Sequence, residues 1–199
     1  TVPDTTFHPF GLVVAADKLA ILIVTVVLVI GLAWLLKRTG AGRAMRAFCE
    51  CRPVQIGDHF EDMLDLQLGE MAFLKDLGLT GLPIPLQSFV DRLGRVTGSE
   101  IAELVEAYRR EFELGEGVDA ALLEKTARGE AALRSILAEA KSTAVGLNFL
   151  TLCNEERIGD GLHVAASRLM AEGLGYGGEG DWVTAALVRA MQRAAGPAS

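Results

Sequence analysis

Positive charge is what this sequence is shortest of. Nineteen Lys and Arg stand against 26 Asp and Glu, a net charge of -7. That balance argues against a nucleic-acid footprint, which needs a basic face. Aromatic residues make up only 6 % of the 199 residues, and there are three histidines. Cysteine is scarce and odd in number: Cys49, Cys51 and Cys153. Cys49-x-Cys51 is one residue short of the C-x-x-C metal or redox spacing. The set excludes a disulfide framework and fits reduced thiols in a cytosolic compartment. Cys153, in or after an apolar run, reads as a small hydrophobe. No internal repeat is present, and low complexity is confined to the small-residue tail 194–199. Long apolar runs are also missing, with a single exception.

That exception sits in a region of different charge. Residues 1–50 hold five Lys/Arg and three Asp/Glu, whereas residues 51–199 hold fourteen and twenty-three. The run is 19–36, LAILIVTVVLVIGLAWLL, in which only Thr25 and Gly31 are not hydrophobic. As a helix it is about 27 Å long, near the roughly 30 Å of a bilayer's hydrocarbon. It is too long for a strand and apolar all round, unlike a core helix with one buried stripe. Trp34 lies near the end that favours the headgroup level. Lys37, Arg38, Arg43 and Arg46 follow with no acid before Glu50, which makes that end cytoplasmic. Asp4 and Asp17, and arginines where small residues would be cleaved, argue against a signal peptide. The expected location is an inner or plasma membrane with the C-terminal part in the cytoplasm. If the N-terminal segment is foreign to the rest, the location is simply cytoplasmic.

Residues 51–199 have the texture of an α/β domain. Residues 53–60 read as a short strand ending at Gly57-Asp58. Residues 67–77 read as a helix stopped by Gly78. Pro83 and Pro85 keep 82–86 extended. The clearest helix is 98–112, with Ile101, Leu104, Val105, Tyr108 and Phe112 on one face and Thr97 and Glu100 at capping-box spacing. A second long helix covers 119–141, with Leu122, Leu123, Leu133, Ile136 and Leu137 as its stripe and Gly129 weakening its middle. Residues 144–152 read as a buried strand, and 162–172 and 182–194 as helices joined by a glycine-rich loop. Alternating strands and helices predict a parallel or mixed sheet.

The glycine-rich loop, GLGYGGEGDW at 173–182, is the most specific local feature. Its five glycines admit left-handed and crowded backbone. Asp181 is placed to cap the following helix, whose N-terminus suits an anion. Glu179 could ligate a metal or move a proton. The plain alternative is a helix–helix turn with one cap at each end. It is not a dinucleotide fingerprint, since no strand is predicted before it. His8, His59 and His163 are scattered, and none is placed as a metal ligand.

Two resemblances attach to these residues. The segment PFGLVVAADKLAILIVTVVLVIGLAWLLKRTGAGRAMRA, with Thr39, Gly42, Arg43, Ala44, Arg46 and Ala47 after the apolar run, resembles branched-chain amino acid ABC transporter permeases. It covers residues 1–47. A permease of that kind has many spans, and this chain has one. RLMAEGLGYGGEGDWVTAAL at 168–187 resembles the L-arabinose isomerase family. Supporting likeness runs through CRPVQIGDHFEDM at 51–63, the paired helical region of 86–112, and Asn148-Phe149. It covers roughly 51–195.

The second resemblance implies an aldose–ketose isomerase that moves a proton between adjacent carbons through an enediol. Two glutamates and a divalent ion, usually manganese, serve that chemistry. Glu179 is then one catalytic glutamate and a metal ligand. Where the second glutamate should follow the phenylalanine, Leu150 stands, with Glu155 and Glu156 nearby. The family's two metal-binding histidines lie beyond the GEGDW helix, and Val183 replaces a common lysine. The family also implies a sugar partner and assembly into homo-oligomers.

The expected fold is a partial three-layer α/β isomerase domain preceded by one transmembrane helix. Residues 1–47 form the permease-like segment, 48–52 the junction and 53–199 the isomerase-like domain. The two resemblances together suggest a truncated or fused reading frame, and the absence of Met at position 1 agrees with a fragment. The expected function is an incomplete sugar isomerase, inactive alone. The competing expectations are a permease fragment and a membrane-anchored sugar-binding module.

Overall fold

A computed structural model describes residues 6–7, 14–58, 69–158 and 162–196. His8, His59 and the predicted strand end at 59–60 lie outside the described residues, as do residues 61–68. Strands β1 (Thr6–Phe7) and β2 (Val14–Ala15) pair antiparallel ahead of the first helix. Helix α1 runs Ala16–Arg38 and contains the whole apolar run 19–36. None of its residues is buried. It alone among the described helices has the length and composition to cross a membrane. Thr39 then caps α2 (Gly40–Cys49), accepting from the Gly42 amide.

The remaining elements are β3 (Val54–Ile56), α3 (Glu70–Leu77), β4 (Leu82–Ile84), α4 (Leu86–Leu93), α5 (Gly98–Glu111) and α6 (Ala120–Ala140). They are followed by β5 (Ala144–Leu147), α7 (Phe149–Cys153), α8 (His163–Ala171), β6 (Gly175–Gly178) and α9 (Trp182–Ala195). Strands β3 to β6 form a parallel sheet ordered β4-β3-β5-β6. The α/β reading with a parallel sheet is what forms.

Side chains alternate across the sheet, and each face has its own helices. Val54, Ile56, Val145 and Leu147 pack with Phe89 of α4, Leu133 and Ile136 of α6, and Leu169 of α8. Ala144 packs with Trp182, Ala185 and Ala186 of α9 and with Phe73 of α3. The predicted capping box forms: Thr97 and Glu100 satisfy each other's backbone amides at the start of α5. Asp119 caps α6, and Gly78 ends α3 in the left-handed conformation. Gly129 has a packing role, because a Cβ there would stand 2.6 Å from the Leu162 side chain.

Three local expectations change. Pro85 ends β4 and N-caps α4 at once, so the extended reading stops one residue before Leu86. The apolar stretch 144–152 is half strand and half helix. The Asn148 side chain accepts from the Thr151 amide at 3.2 Å, which starts α7 and puts Leu150 on a helix, 47 % exposed.

The third change concerns the glycine-rich loop, which is not a bare turn. Its residues Gly175–Gly178 are a strand, paired from Ala144↔Gly175 to Leu147↔Gly178. A Cβ on Gly175 would lie 2.1 Å from the Ala185 carbonyl oxygen, and one on Gly177 would lie 1.9 Å from that of Asp181. The alternate glycines are what let α9 lie directly on the sheet.

Candidate functional site

In an open parallel sheet the ligand crevice lies outside the carboxyl ends of the strands. Here that edge carries Gly57-Asp58 after β3, Asn148 after β5 and the turn 179–181 after β6. Asn148 is buried and joins the first two. Its amide donates to the Ile56 carbonyl at 3.3 Å, and Nδ2 donates to the Asp58 carbonyl at 2.8 Å. Gly57, at φ 81°, makes the turn beside it. Sequence reading noted Asn148 only as part of a resemblance. An N-cap residue directly after an apolar strand was the signal for its position.

The turn after β6 is built from two consecutive left-handed residues, Glu179 at φ 60° and Gly180 at φ 75°. The Gly180 amide donates to the Leu147 carbonyl at 3.1 Å, and the Asp181 amide to that of Gly178 at 3.0 Å. Asp181 does cap α9, with Oδ1 accepting from the Thr184 amide at 2.9 Å and Oδ2 from the Thr184 hydroxyl. Trp182 is buried and stacks on Phe73 with ring centroids 5.0 Å apart. A Cβ on Gly81 would stand 2.2 Å from the Trp182 ring, so glycine there admits the indole. The half-buried Glu179 is thus fixed at the strand end from both sides. A left-handed conformation costs a residue other than glycine about 1 kcal/mol or more.

Tyr176, on β6, shares this edge. Burial first, and the Glu179 charge second, push its phenol above the ordinary value. The two acids proposed as partners of Glu179 differ. Glu155 is held by Arg157 in a two-armed ion pair, Nε to Oε1 at 2.5 Å and Nη2 to Oε2 at 2.7 Å. That guanidinium brings its pKa down to about 2. At neutral pH such a carboxylate is a poor proton acceptor. Glu156 is exposed and makes no ion pair among the described residues. His163 opens α8 with its ring 6.3 Å from that of Phe149.

The metal that the resemblance implies does not find a complete set of ligands here. Among the described residues no group of three His, Cys, Asp or Glu could hold an ion. Glu179 offers one hard oxygen donor. The other donors would have to come from beyond the described residues.

A different charged cluster is structural. Glu130, on α6, is fully buried and accepts from the Tyr108 hydroxyl at 2.7 Å, from Arg134 Nε at 2.8 Å and from Arg168. Arg134 also forks onto Glu172, and Arg168 onto Glu111. The network ties α5, α6 and α8 together and lies away from the turn at Glu179.

A parallel sheet ordered β4-β3-β5-β6 with helices on both faces and an acid at its carboxyl edge places the chain in the open α/β class. The comparisons name the family. The model of the L-arabinose isomerase central domain matches residues 70–196, and the chain belongs to this family. It is similar to L-arabinose isomerase 1 of Bacillus licheniformis, 32 % identical over 154 residues, 75 % of this chain and 31 % of that protein. The L-arabinose isomerase of Halalkalibacterium halodurans is 40 % identical over 109 residues, 52 % of this chain and 21 % of that protein. That of Geobacillus kaustophilus is 30 % identical over 158 residues, with 75 % and 31 % covered. The chain therefore spans about a third or less of the length of these curated relatives.

Proposed function

We propose that this chain is the central portion of an L-arabinose-type aldose–ketose isomerase and is catalytically incomplete by itself. The observation that carries the reading is Glu179, held left-handed at the carboxyl end of β6 within the segment shared with the isomerases. In that role its carboxylate takes and returns the proton that moves between adjacent sugar carbons. Asn148 and the 179–181 turn supply the rigid edge against which the sugar is oriented. Glu156 is the better candidate for a second acid, since Glu155 is engaged by Arg157. Manganese, or another divalent cation, belongs to this reading with Glu179 as one ligand. The donors among the described residues are too few to hold it, and on this reading the chain alone is inactive. Donors from further sequence or from another copy in a homo-oligomer would complete the site.

The N-terminal part belongs to the same proposal. The run 19–36 spans a membrane, the permease-like segment 1–47 meets the isomerase portion near 48–52, and the latter faces the cytoplasm. Support comes from the lack of any buried residue in α1 and from the basic residues that follow it.

The test uses the full chain in neutral detergent with L-arabinose and manganese, following ketose formation. No turnover is expected from the chain alone. Addition of the flanking portions of the Bacillus licheniformis relative as separate polypeptides should restore turnover. Glu179→Gln should then lower it by about a hundredfold or more. Turnover by the chain alone that Glu179→Gln abolishes would overturn the incompleteness. Restored turnover indifferent to Glu179→Gln would overturn the assignment of that residue.

A further inference from the structure

The amino-terminal edge of the sheet, opposite Glu179, holds a pocket of about 260 Å³ with a very different lining. Its charged residues are Arg43, Arg46, Lys141, Arg189, Arg193 and one acid, Glu50. In a protein of net charge -7, five cations converge on one small space. Three elements bring them there. Helix α9 runs back from the turn at Asp181 and ends at this edge. Helix α2 packs on α9, and Lys141 is the left-handed cap that ends α6 just before β5.

None of the five charges is neutralised within the described residues. Arg43 donates to the carbonyls of Arg193, Ala194 and Gly196 at 3.0, 2.9 and 3.1 Å, serving the orphan carbonyls at the end of α9. Arg46 donates to the Leu36 carbonyl at 2.8 Å and closes the end of α1. Arg189 donates to the Gly173 carbonyl. These partners are neutral carbonyls and bring no counter-charge to the guanidinium groups. Lys141, Arg193 and Glu50 make no ion pair or side-chain hydrogen bond among the described residues. Burial and the neighbouring Arg193 both work against the charge of Arg189, which an unpaired like-charge cluster predicts.

We infer that this pocket is a binding site for a phosphate group. Cations that repel one another are stable together when an anion lies between them, and arginine forks with a lysine suit a multiply charged tetrahedral oxyanion. A volume of about 260 Å³ admits a phosphate with a small esterified group. Two sources share this chemistry. Helix α2 follows the apolar helix α1 directly, so the phosphate of an anionic lipid headgroup is one. A soluble phosphate ester is the other. The inference stands on this pocket alone and does not depend on Glu179 or on isomerase activity.

The test is titration of inorganic phosphate into the full chain in neutral detergent, read by calorimetry. Lys141→Gln combined with Arg193→Gln is the variant of choice, since neither side chain holds another part of the fold. Phosphate should bind the unmodified chain, and the double variant should weaken binding about tenfold or more. The single Arg193→Gln, judged folded by circular dichroism, should weaken it by a smaller factor. No binding to the folded unmodified chain below about 20 mM phosphate, or equal binding by a folded variant, overturns the inference. Repeating the titration in nanodiscs distinguishes the sources. Phosphatidic acid in the disc, compared with phosphatidylcholine alone, should depress phosphate affinity severalfold if the lipid headgroup is the occupant. An unchanged affinity assigns the pocket to soluble phosphate esters.

Discussion

Helices α1 and α6 are nearly equal in length, 23 and 21 residues, and opposite in what they do with apolar surface. Ten residues of α6 are buried, and its partners are α5, the sheet, α4 and α8. None of α1 is buried, and Ile21, Leu28, Ile30 and Trp34 are each more than 60 % exposed. The difference lies in angular distribution. Helix α6 confines its large apolar residues to a stripe and mixes charge around it, so a folded protein can cover it. Helix α1 is apolar in every direction, and no single packed neighbour can cover such a surface.

The contrast can be broken most severely at Glu130, because it is the one fully buried acid of the long helix. Glu130→Ala leaves Tyr108, Arg134 and Arg168 without their common acceptor, and the cost should be about 4 kcal/mol. Thermal unfolding should show the α/β part melting much earlier, while the helicity of α1 in detergent is unchanged. Equal loss in both would mean that the two parts fold as one unit.

The reverse experiment is Leu28→Arg. Membrane insertion should weaken by about 3 kcal/mol, read as recovery in the soluble fraction of a liposome flotation. The α/β part should keep its melting temperature.

Gly177→Ala comes next in size. The added methyl meets the Asp181 carbonyl oxygen, so the β6–α9 contact must open at a cost of about 2 kcal/mol. Urea unfolding measures it, and a neutral result would mean that α9 does not rest on the sheet as described.

The smallest effect is that of pH. Glu172 is held below its ordinary pKa of 4.5, mainly by Arg134, and Glu155 is brought to about 2 by Arg157. Depressed carboxylates stabilise the fold above their unfolded pKa and lose that contribution as pH falls through the folded value. The melting temperature of the α/β part should therefore hold above about pH 5 and decline from there toward about pH 2. The apolar run 19–36 of α1, which holds no acid, should not respond.

Much of this molecule was legible in its residues. Thr97 with Glu100, Asp119 and Asp181 announced helix starts because capping is local chemistry, satisfied within three residues. The α5 stripe announced its buried face for the same reason. Strand β6 was not legible. Its composition, GYGG, opposes β propensity, and its reason for being a strand is the α9 backbone lying against it. The end of β5 was hidden because Asn148 interrupts an unbroken apolar pattern with a cap. At the candidate site, the GEGDW motif singled out Glu179, but neither the strain at φ 60° nor the engagement of Glu155 by Arg157 could be read from it.

By itself the sequence determined the local facts: an apolar helix with a basic flank, capped helices, alternating strand and helix signals and an isomerase motif. All of these are set by neighbours within one or two turns. Tertiary structure decided which side chains meet. It turned a glycine loop into the edge strand of the sheet and fixed Glu179 at its carboxyl end. It also gathered Arg43, Lys141 and Arg193, distant along the chain, into one pocket. Those outcomes depend on backbone approach and charge convergence between remote segments, for which a one-dimensional pattern carries no signal.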